Sequence, residues 1–271
     1  MTTASPRLEH TGRVTLARIL LSEWTKFRSL RSTVWCLAIG ILLTIGVPLI
    51  AAAVTSSQWD QMSPGERTDQ NPLDFALVGV YIAQLAIAVL GVLVISAEYS
   101  TGSIRSTVIA VPKRLPVLWA KLLNYAIASL AVMISAVLIS FFATQAILSG
   151  IPELTLSFTD TGVARCLLMG AVYVTMVGGF ALALGAITRN TAAGIGLFAA
   201  IFFVLPPLTF ALPTNSSEAI RQYLPSVAGP QIFALDHGPD TLTPLAGGLV
   251  FAGYCAAAIG IAAVLLRRRD V

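Results

Sequence analysis

Six long stretches of the chain contain no Asp, Glu, Lys or Arg. They run over Thr33–Val54, Phe75–Ala97, Leu122–Leu148, Cys166–Ile187, Thr191–Leu212 and Pro244–Leu266. Each is at least as long as the roughly 20 residues that a helix needs to cross ~30 Å of hydrocarbon. Because a charge at the centre of a bilayer costs at least ~2.5 kcal/mol, six such windows are a strong signal. The pattern predicts an all-α membrane protein with six transmembrane helices.

Composition and spacing agree with this fold class. Hydrophobic residues make up 56% of the chain and charged residues only 11%, whereas soluble domains carry about 25% charged residues. The segments between the windows are short, so we expect residues 1–271 to form a single transmembrane domain. The fourth and fifth windows are separated only by Thr188, Arg189 and Asn190, which predicts a tight helical hairpin.

The basic residues predict the orientation of the spans. With six spans, all 17 Lys and Arg residues except Arg67, Arg165 and Arg221 fall on the side that holds both termini. Basic residues are enriched in cytoplasmic loops, so we expect both termini in the cytoplasm. The same residues suit anionic lipid headgroups, and nothing in the sequence calls for nucleic acid as a partner.

The segment before the first window predicts an amphipathic helix over residues 14–32. Leu16, Leu20, Trp24 and Phe27 recur at steps of three and four, which places them on one helical face. The polar residues Arg18, Ser22, Lys26 and Ser29 fall largely on the other face. Such a helix suits the plane of the inner headgroup layer. It either anchors the first span only or also grips a cytoplasmic partner.

The loop from Glu98 to Lys121 predicts a second, shorter amphipathic helix. Ile104, Val108 and Val111 form one apolar face, and Pro112 ends the helix. A short helix of this kind fits a groove on a partner protein. The alternative from these residues alone is a solvated basic loop.

These two segments resemble the corresponding parts of actinobacterial permeases of type-2 ATP-binding-cassette (ABC) exporters. The first carries the run Ser22-Glu23-Trp24-Thr25-Lys26-Phe27-Arg28-Ser29-Leu30-Arg31-Ser32. The second begins at Glu98-Tyr99 and continues through Gly102, Arg105, Pro112, Arg114 and Lys121. The similarity extends over the whole chain in the number and spacing of the spans. Both motifs are short, and their order and placement carry more weight than either one.

The resemblance implies a permease that binds no cofactor itself. Family members have an interfacial elbow helix and a coupling helix that sits in a cleft of the ATPase. Two separate ATPase subunits, which bind ATP and Mg²⁺, join two permease subunits. It also implies a short helix in the last outer loop, for which Ser217–Tyr223 is the candidate. We therefore expect contacts with the ATPase from Trp24, Lys26, Arg28, Glu98, Gly102, Ile104, Arg105 and Val108.

Few polar residues lie within the windows, and four are candidates for the substrate pathway: Gln84, Asn124, Gln145 and Tyr173. The alternative is that they form hydrogen bonds between helices. Two stripes of small residues predict close helix approach, within the chain or to a second subunit: Ala192, Gly196 and Ala200, and Gly253, Ala257 and Gly260. Pro206 and Pro207 are expected to bend or end the fifth span.

No catalytic or metal site of the chain's own is expected. The sequence has no GxxxxGK[ST] run, and its only histidines, His10 and His237, fall outside the windows. No acid or base lies inside a window to relay protons, which disfavours ion-coupled transport. The function predicted is the permease of an ATP-driven exporter in a bacterial plasma membrane. The alternatives are a non-transporting membrane scaffold or sensor and an ATP-independent carrier or channel.

Overall fold

The computed structural model describes residues 15–102, 115–211, 219–235, 238 and 241–268. Within these ranges all regular structure is helical. The predicted coupling helix, with Ile104, Arg105 and Val108, lies outside the described residues. Ser217 also lies outside them, and within the described remainder of the candidate Ser217–Tyr223 helix only residues 219–221 are helical.

One short helix and six long helices make up the bundle. Helix α1 spans Leu16–Ser29. The six long helices are α2 (Arg31–Gln58), α3 (Pro72–Ser100), α4 (Leu115–Leu148), α5 (Val163–Thr188), α6 (Thr191–Ala211) and α7 (Pro244–Arg268). All six are long and apolar enough to cross a membrane. The prediction of an all-α membrane protein with six transmembrane helices is therefore confirmed.

Helix ends in the bundle follow from local sequence. Asn71 caps α3 by accepting a hydrogen bond from the Leu73 amide at 3.0 Å. Between α5 and α6 the chain turns through Arg189, whose φ of 55° is left-handed. Asn190 then caps α6 by accepting from the Ala193 amide at 3.0 Å. A left-handed residue ends one helix and an Asn cap starts the next, so the predicted tight hairpin is present.

Helices α3 and α5 form the centre of the bundle. In the most apolar 18-residue stretch of each, 61% and 72% of the residues are buried, against 22% in α2, α6 and α7. The two helices approach closely at glycines, because a Cβ atom on Gly91 of α3 would overlap the carbonyl oxygen of Gly178 on α5. Further along, a Cβ on Gly185 would lie 3.0 Å from the Val92 carbonyl oxygen.

The outer helices turn large apolar side chains away from the bundle. Trp35 on α2, Leu208 on α6 and Leu249 on α7 are 68%, 59% and 64% exposed. Few polar residues interrupt these surfaces, as expected where hydrocarbon rather than water covers a helix. The chain is thus a multi-pass membrane protein.

Helix α6 changes its pitch where the prolines predict a break. A π-helical turn covers Ala200–Val204, and a short α-helix at Leu205–Leu208 and a 3₁₀ turn follow. The segment before α7 then folds back against the bundle as two short helical pieces, Pro225–Ala228 and Gly229–Phe233. Ala228, Gly229 and Phe233 are buried there.

We expect Gly178→Ala to destabilise the protein by about 1–3 kcal/mol, the usual cost of overpacking. Its Cβ would overlap the Tyr125 hydroxyl and lie 2.8 Å from the Ile87 carbonyl oxygen. The control is Gly179→Ala, one residue further along α5, where a Cβ meets nothing within 4 Å. Helix propensity should leave this control unchanged or up to ~1 kcal/mol more stable. Thermal unfolding of both variants in detergent measures the difference, and equal stabilities would contradict the close α3–α5 contact.

Candidate functional site

Four charged side chains from three helices meet at the end of the bundle where α1 lies. Glu23 and Lys26 of α1, Glu98 of α3 and Lys121 of α4 form what we call the charge cluster. The Lys121 Nζ lies 2.6 Å from Glu23 Oε2 and 2.8 Å from Glu98 Oε1. The Lys26 Nζ lies 2.8 Å from Glu23 Oε1 and 2.9 Å from the same Glu98 oxygen. Each lysine therefore bridges both carboxylates.

Burial explains why these charges are paired. The side chains of Glu23 and Lys121 are each only 4% exposed, whereas that of Lys26 is 39% exposed. Removing an isolated charge from water costs several kcal/mol, so a buried charge requires a partner. Two acids and two bases make the cluster neutral. Burial alone would lower the pKa of Lys26, but hydrogen bonds and charges from Glu23 and Glu98 outweigh it and raise that pKa.

Further hydrogen bonds join α1 to α4 and α4 to α3. The Asn124 side chain on α4 donates to the Leu20 carbonyl oxygen of α1 at 2.9 Å. The Lys121 Nζ also approaches the Val94 carbonyl oxygen of α3 at 3.4 Å. Helix α1 is thus held on α3 and α4 by its side chains and its backbone.

The face of α1 that packs against the spans overlaps the predicted apolar face only in part. The structure buries Ile19, Glu23 and Phe27, whereas Leu16 and Trp24 of the predicted apolar face are 64% and 38% exposed. The sequence pattern sorts these residues by polarity, whereas Glu23 faces inward in the structure because Lys121 pairs with it. Lys26, expected on the opposite face, also reaches into the cluster.

A cavity of about 280 Å³ opens beside the cluster. Its polar lining comprises Glu23, Lys26, Ser29, Glu98, Thr101, Lys121 and Asn124, and its apolar lining comprises Phe27, Leu30, Val94 and Ala97. An apolar pocket with a few convergent polar groups is the usual form of a ligand site. Within the described ranges, no three His, Cys, Asp or Glu side chains come together as a metal site.

The structure brings together only some of the predicted coupling residues. Lys26 and Glu98 are in direct contact, although 72 residues separate them. Trp24 stacks on Phe27 at 6.2 Å between ring centroids and is outside the cluster. Arg28 is exposed on the last turn of α1, and Gly102 follows α3 with a φ of 72°.

The four predicted pathway residues lie in three separate places. The Tyr173 hydroxyl on α5 donates to Gln84 Oε1 on α3 at 2.6 Å, deep in the bundle. Asn124 lies beside the charge cluster. Gln145 binds the loop between α4 and α5, where its Oε1 accepts from the Leu156 amide at 2.8 Å. Gln84, Tyr173 and Asn124 thus make hydrogen bonds between helices, which is the alternative that the sequence left open, whereas Gln145 bonds a loop.

Sequence reasoning missed Glu23 and Lys121 as partners. Glu98 and Lys121 border the second and third windows, one just after Ala97 and the other just before Leu122. Opposite charges at the facing ends of two successive spans were the available signal. Nothing in the pattern of α1 indicated that Glu23 joins them.

Comparisons with known proteins identify no family for this chain. No protein-family model matches the chain, and no curated protein matches it significantly. The fold and the site therefore define a class: an all-α, multi-pass membrane protein whose first short helix is held to two spans by a buried charge cluster.

We expect Lys121→Met to destabilise the protein by about 3–5 kcal/mol, because it removes the buried partner of Glu23 and Glu98 and leaves the two carboxylates with Lys26 alone. Lys26→Met should have a smaller effect, since Lys26 remains partly in water. Adding Glu23→Gln to Lys121→Met should recover part of the loss by removing one uncompensated charge. Thermal unfolding in detergent tests the three variants. Equal losses for Lys121→Met and Lys26→Met would contradict the role of burial in the cluster.

Proposed function

We propose that the chain is the permease subunit of an ATP-driven ABC exporter, powered by a separate ATPase that binds ATP and Mg²⁺. The observation that supports this proposal best is the charge cluster. It joins the interfacial helix α1 to the end of α3, immediately before residues 103–114, where the sequence predicts a coupling helix. A force applied to that loop would therefore reach two segments that the family uses as contacts.

The cluster suggests how such a force would travel. Glu98 lies less than one turn before the end of α3 at Ser100, and its carboxylate binds lysines from α1 and α4. Separating these helices would leave charges unpaired in a poorly hydrated place. In the proposed mechanism, ATP-driven closure of the ATPase moves α1, α3 and α4 together. Since α3 packs on α5 through Gly91 and Gly178, the movement would pass to the centre of the bundle.

The proposed orientation rests on the distribution of charge. The α1 end carries most of the Lys and Arg residues, including Arg28, Arg31, Arg267 and Arg268. The positive-inside rule then places this end and both termini in the cytoplasm. In the proposed location, a bacterial plasma membrane, the cluster lies at the inner headgroup layer.

A second permease subunit is part of the proposal. Both stripes of small residues face away from the bundle: Ala192, Gly196, Ala200, Gly253, Ala257 and Gly260 are all exposed. A Cβ added at Gly196, Gly253 or Gly260 would meet no atom within 4 Å. Small residues allow close helix approach in membranes, and these stripes serve no such approach within the described part of the chain. They are available to a second subunit, homo- or heteromeric, across which the substrate pathway would form.

Two other functions stay open to test. A membrane scaffold or sensor would not stimulate nucleotide hydrolysis by a partner. A self-sufficient carrier would transport its substrate without a partner ATPase. Among the predicted pathway residues, Gln84 and Tyr173 form the hydrogen bond that lies deepest in the bundle. It would suit the substrate pathway of an exporter or of a carrier.

The coupling proposal predicts that an ATPase chain with a Walker motif co-purifies with the native protein. Ile104→Asp together with Val108→Asp should abolish this co-purification, because the two charges would interrupt the apolar face of the coupling helix. Membrane insertion should be unchanged. The measurement is a pull-down followed by mass spectrometry and an ATPase assay.

A matched control for that pull-down is Thr68→Asp, an exposed residue at the opposite end of the bundle. It should leave the ATPase bound. If the Ile104 and Val108 double variant retains the ATPase at the native level, residues 103–114 are not the coupling segment. If no ATPase accompanies the native protein, the exporter proposal fails in favour of a scaffold or carrier.

The subunit proposal predicts that Gly196→Phe lowers the fraction of associated permease at least several-fold. A large side chain at this position would prevent the close approach of a second helix. The control is Ile139→Phe, a substitution on α4 at a side chain that is already 54% exposed. Chemical cross-linking in native membranes measures both. Unchanged association in Gly196→Phe would show that α6 does not form the contact.

A further inference from the structure

The cavity beside the charge cluster has two chemically different sides. Phe27, Leu30, Val94 and Ala97 give it apolar walls, and the cluster gives it a charged side. Its volume is about 280 Å³. It lies where the charge-free windows end, because Ala97 closes the second window and Lys121 precedes the third. This is the depth at which lipid headgroups meet acyl chains.

The cluster has one acceptor without a donor among the described residues. The Lys121 ammonium uses its three protons on Glu23 Oε2, Glu98 Oε1 and the Val94 carbonyl oxygen. Lys26 donates to Glu23 Oε1 and to the same Glu98 oxygen. Glu98 Oε2 is buried and accepts no hydrogen bond from any described residue. A buried carboxylate oxygen left without a donor is energetically unfavourable, so a ligand that brings a donor would bind favourably here.

Charge balance narrows the class of ligand. The cluster is neutral, so a ligand with a net charge would leave that charge uncompensated beside buried ions. A zwitterion avoids this cost. Its cationic end would need N–H donors for Glu98, and its anionic end would lie toward Lys26, the most exposed cation of the cluster. An apolar tail would match the walls at Phe27 and Leu30.

We propose that this cavity is a headgroup site for an aminophospholipid, with the primary ammonium donating to Glu98 and the phosphate lying beside Lys26. The acyl chains leave along the apolar wall into the surrounding bilayer. The lipid completes the hydrogen bonds of the cluster and stabilises the junction of α1 with α3 and α4. The inference requires only that the protein lies in a membrane, and it stands whether or not an ATPase binds the chain.

The test compares headgroups that differ in one property. The full-length protein is purified in detergent, exchanged into nanodiscs of phosphatidylethanolamine or phosphatidylcholine mixed with phosphatidylglycerol, and analysed for retained lipid by native mass spectrometry. Phosphatidylcholine carries the same charges as phosphatidylethanolamine, but its quaternary ammonium has no N–H donor. We expect retention of phosphatidylethanolamine to exceed that of phosphatidylcholine by about tenfold, the factor that ~1.4 kcal/mol produces. A further sample with soluble phosphoethanolamine separates the headgroup from the intact lipid.

Two variants locate the site. Ala97→Phe should fill the cavity and remove the preference without changing any charge, and Glu98→Gln should reduce it. Glu153→Gln, at an exposed acid in the opposite loop, should keep it. Thermal unfolding identifies any variant that has lost its fold, and the comparison of headgroups on the native chain needs no variant.

Each outcome of this comparison decides the proposal. Equal retention of the two zwitterionic lipids, or stronger retention of phosphatidylglycerol, overturns it. A preference that survives Ala97→Phe in a folded protein also overturns it, because the lipid would then bind elsewhere. Binding of soluble phosphoethanolamine without a preference among lipids would replace the lipid with a soluble ligand. A tenfold preference that Ala97→Phe abolishes supports the site.

Discussion

Two carboxylates and two ammonium groups lie together at one end of the bundle, where three of the four are nearly excluded from water. The energetic cost of separating such charges is larger than that of most packing defects, and it constrains three helices at once. Glu23 fixes the rotation of α1, Glu98 extends α3 beyond its apolar window, and Lys121 does the same at the start of α4. The amphipathic helix is therefore an attached part of the bundle. Its position depends on partners that lie 72 and 98 residues away in sequence.

Helix α3 connects this cluster to the rest of the molecule. One end carries Glu98, and its middle approaches α5 so closely that Gly91 and Gly178 have no room for side chains. Backbone contact of this kind leaves little freedom for sliding, because interiors are close-packed. In the proposed mechanism, a displacement of α1 would pass along this path toward the Gln84–Tyr173 hydrogen bond. The same stiff path would suit an exporter or a sensor equally. The two functions would therefore differ in whether an ATPase binds the chain.

Polar and small residues in the spans have different roles. Gln84, Asn124 and Gln145 each satisfy a hydrogen bond within the chain, as polar groups in hydrocarbon must. Gly91 of α3 and Gly178 and Gly185 of α5 face inward and bring helices together, whereas the glycines of the two predicted stripes face outward. Glycine content alone could not separate these cases, because both sets recur at helical spacing. Only the structure, which shows whether a helix face points into or out of the bundle, reveals that the outward set lacks a neighbour within the described chain.

The sequence by itself determined the number of spans, their approximate limits and the hairpin at Arg189, because hydrocarbon excludes unpaired charge and because helix ends follow local chemistry. It also indicated α1, and it marked Lys26 and Glu98 as candidate coupling residues. Tertiary structure decided which face of α1 is buried and that Lys121 and Glu23 complete a cluster with them. The physical reason is that a charge at the edge of an apolar window is read from sequence as the end of a helix. A partner that arrives from a distant segment turns the same charge into an interior residue, and no local pattern records that pairing.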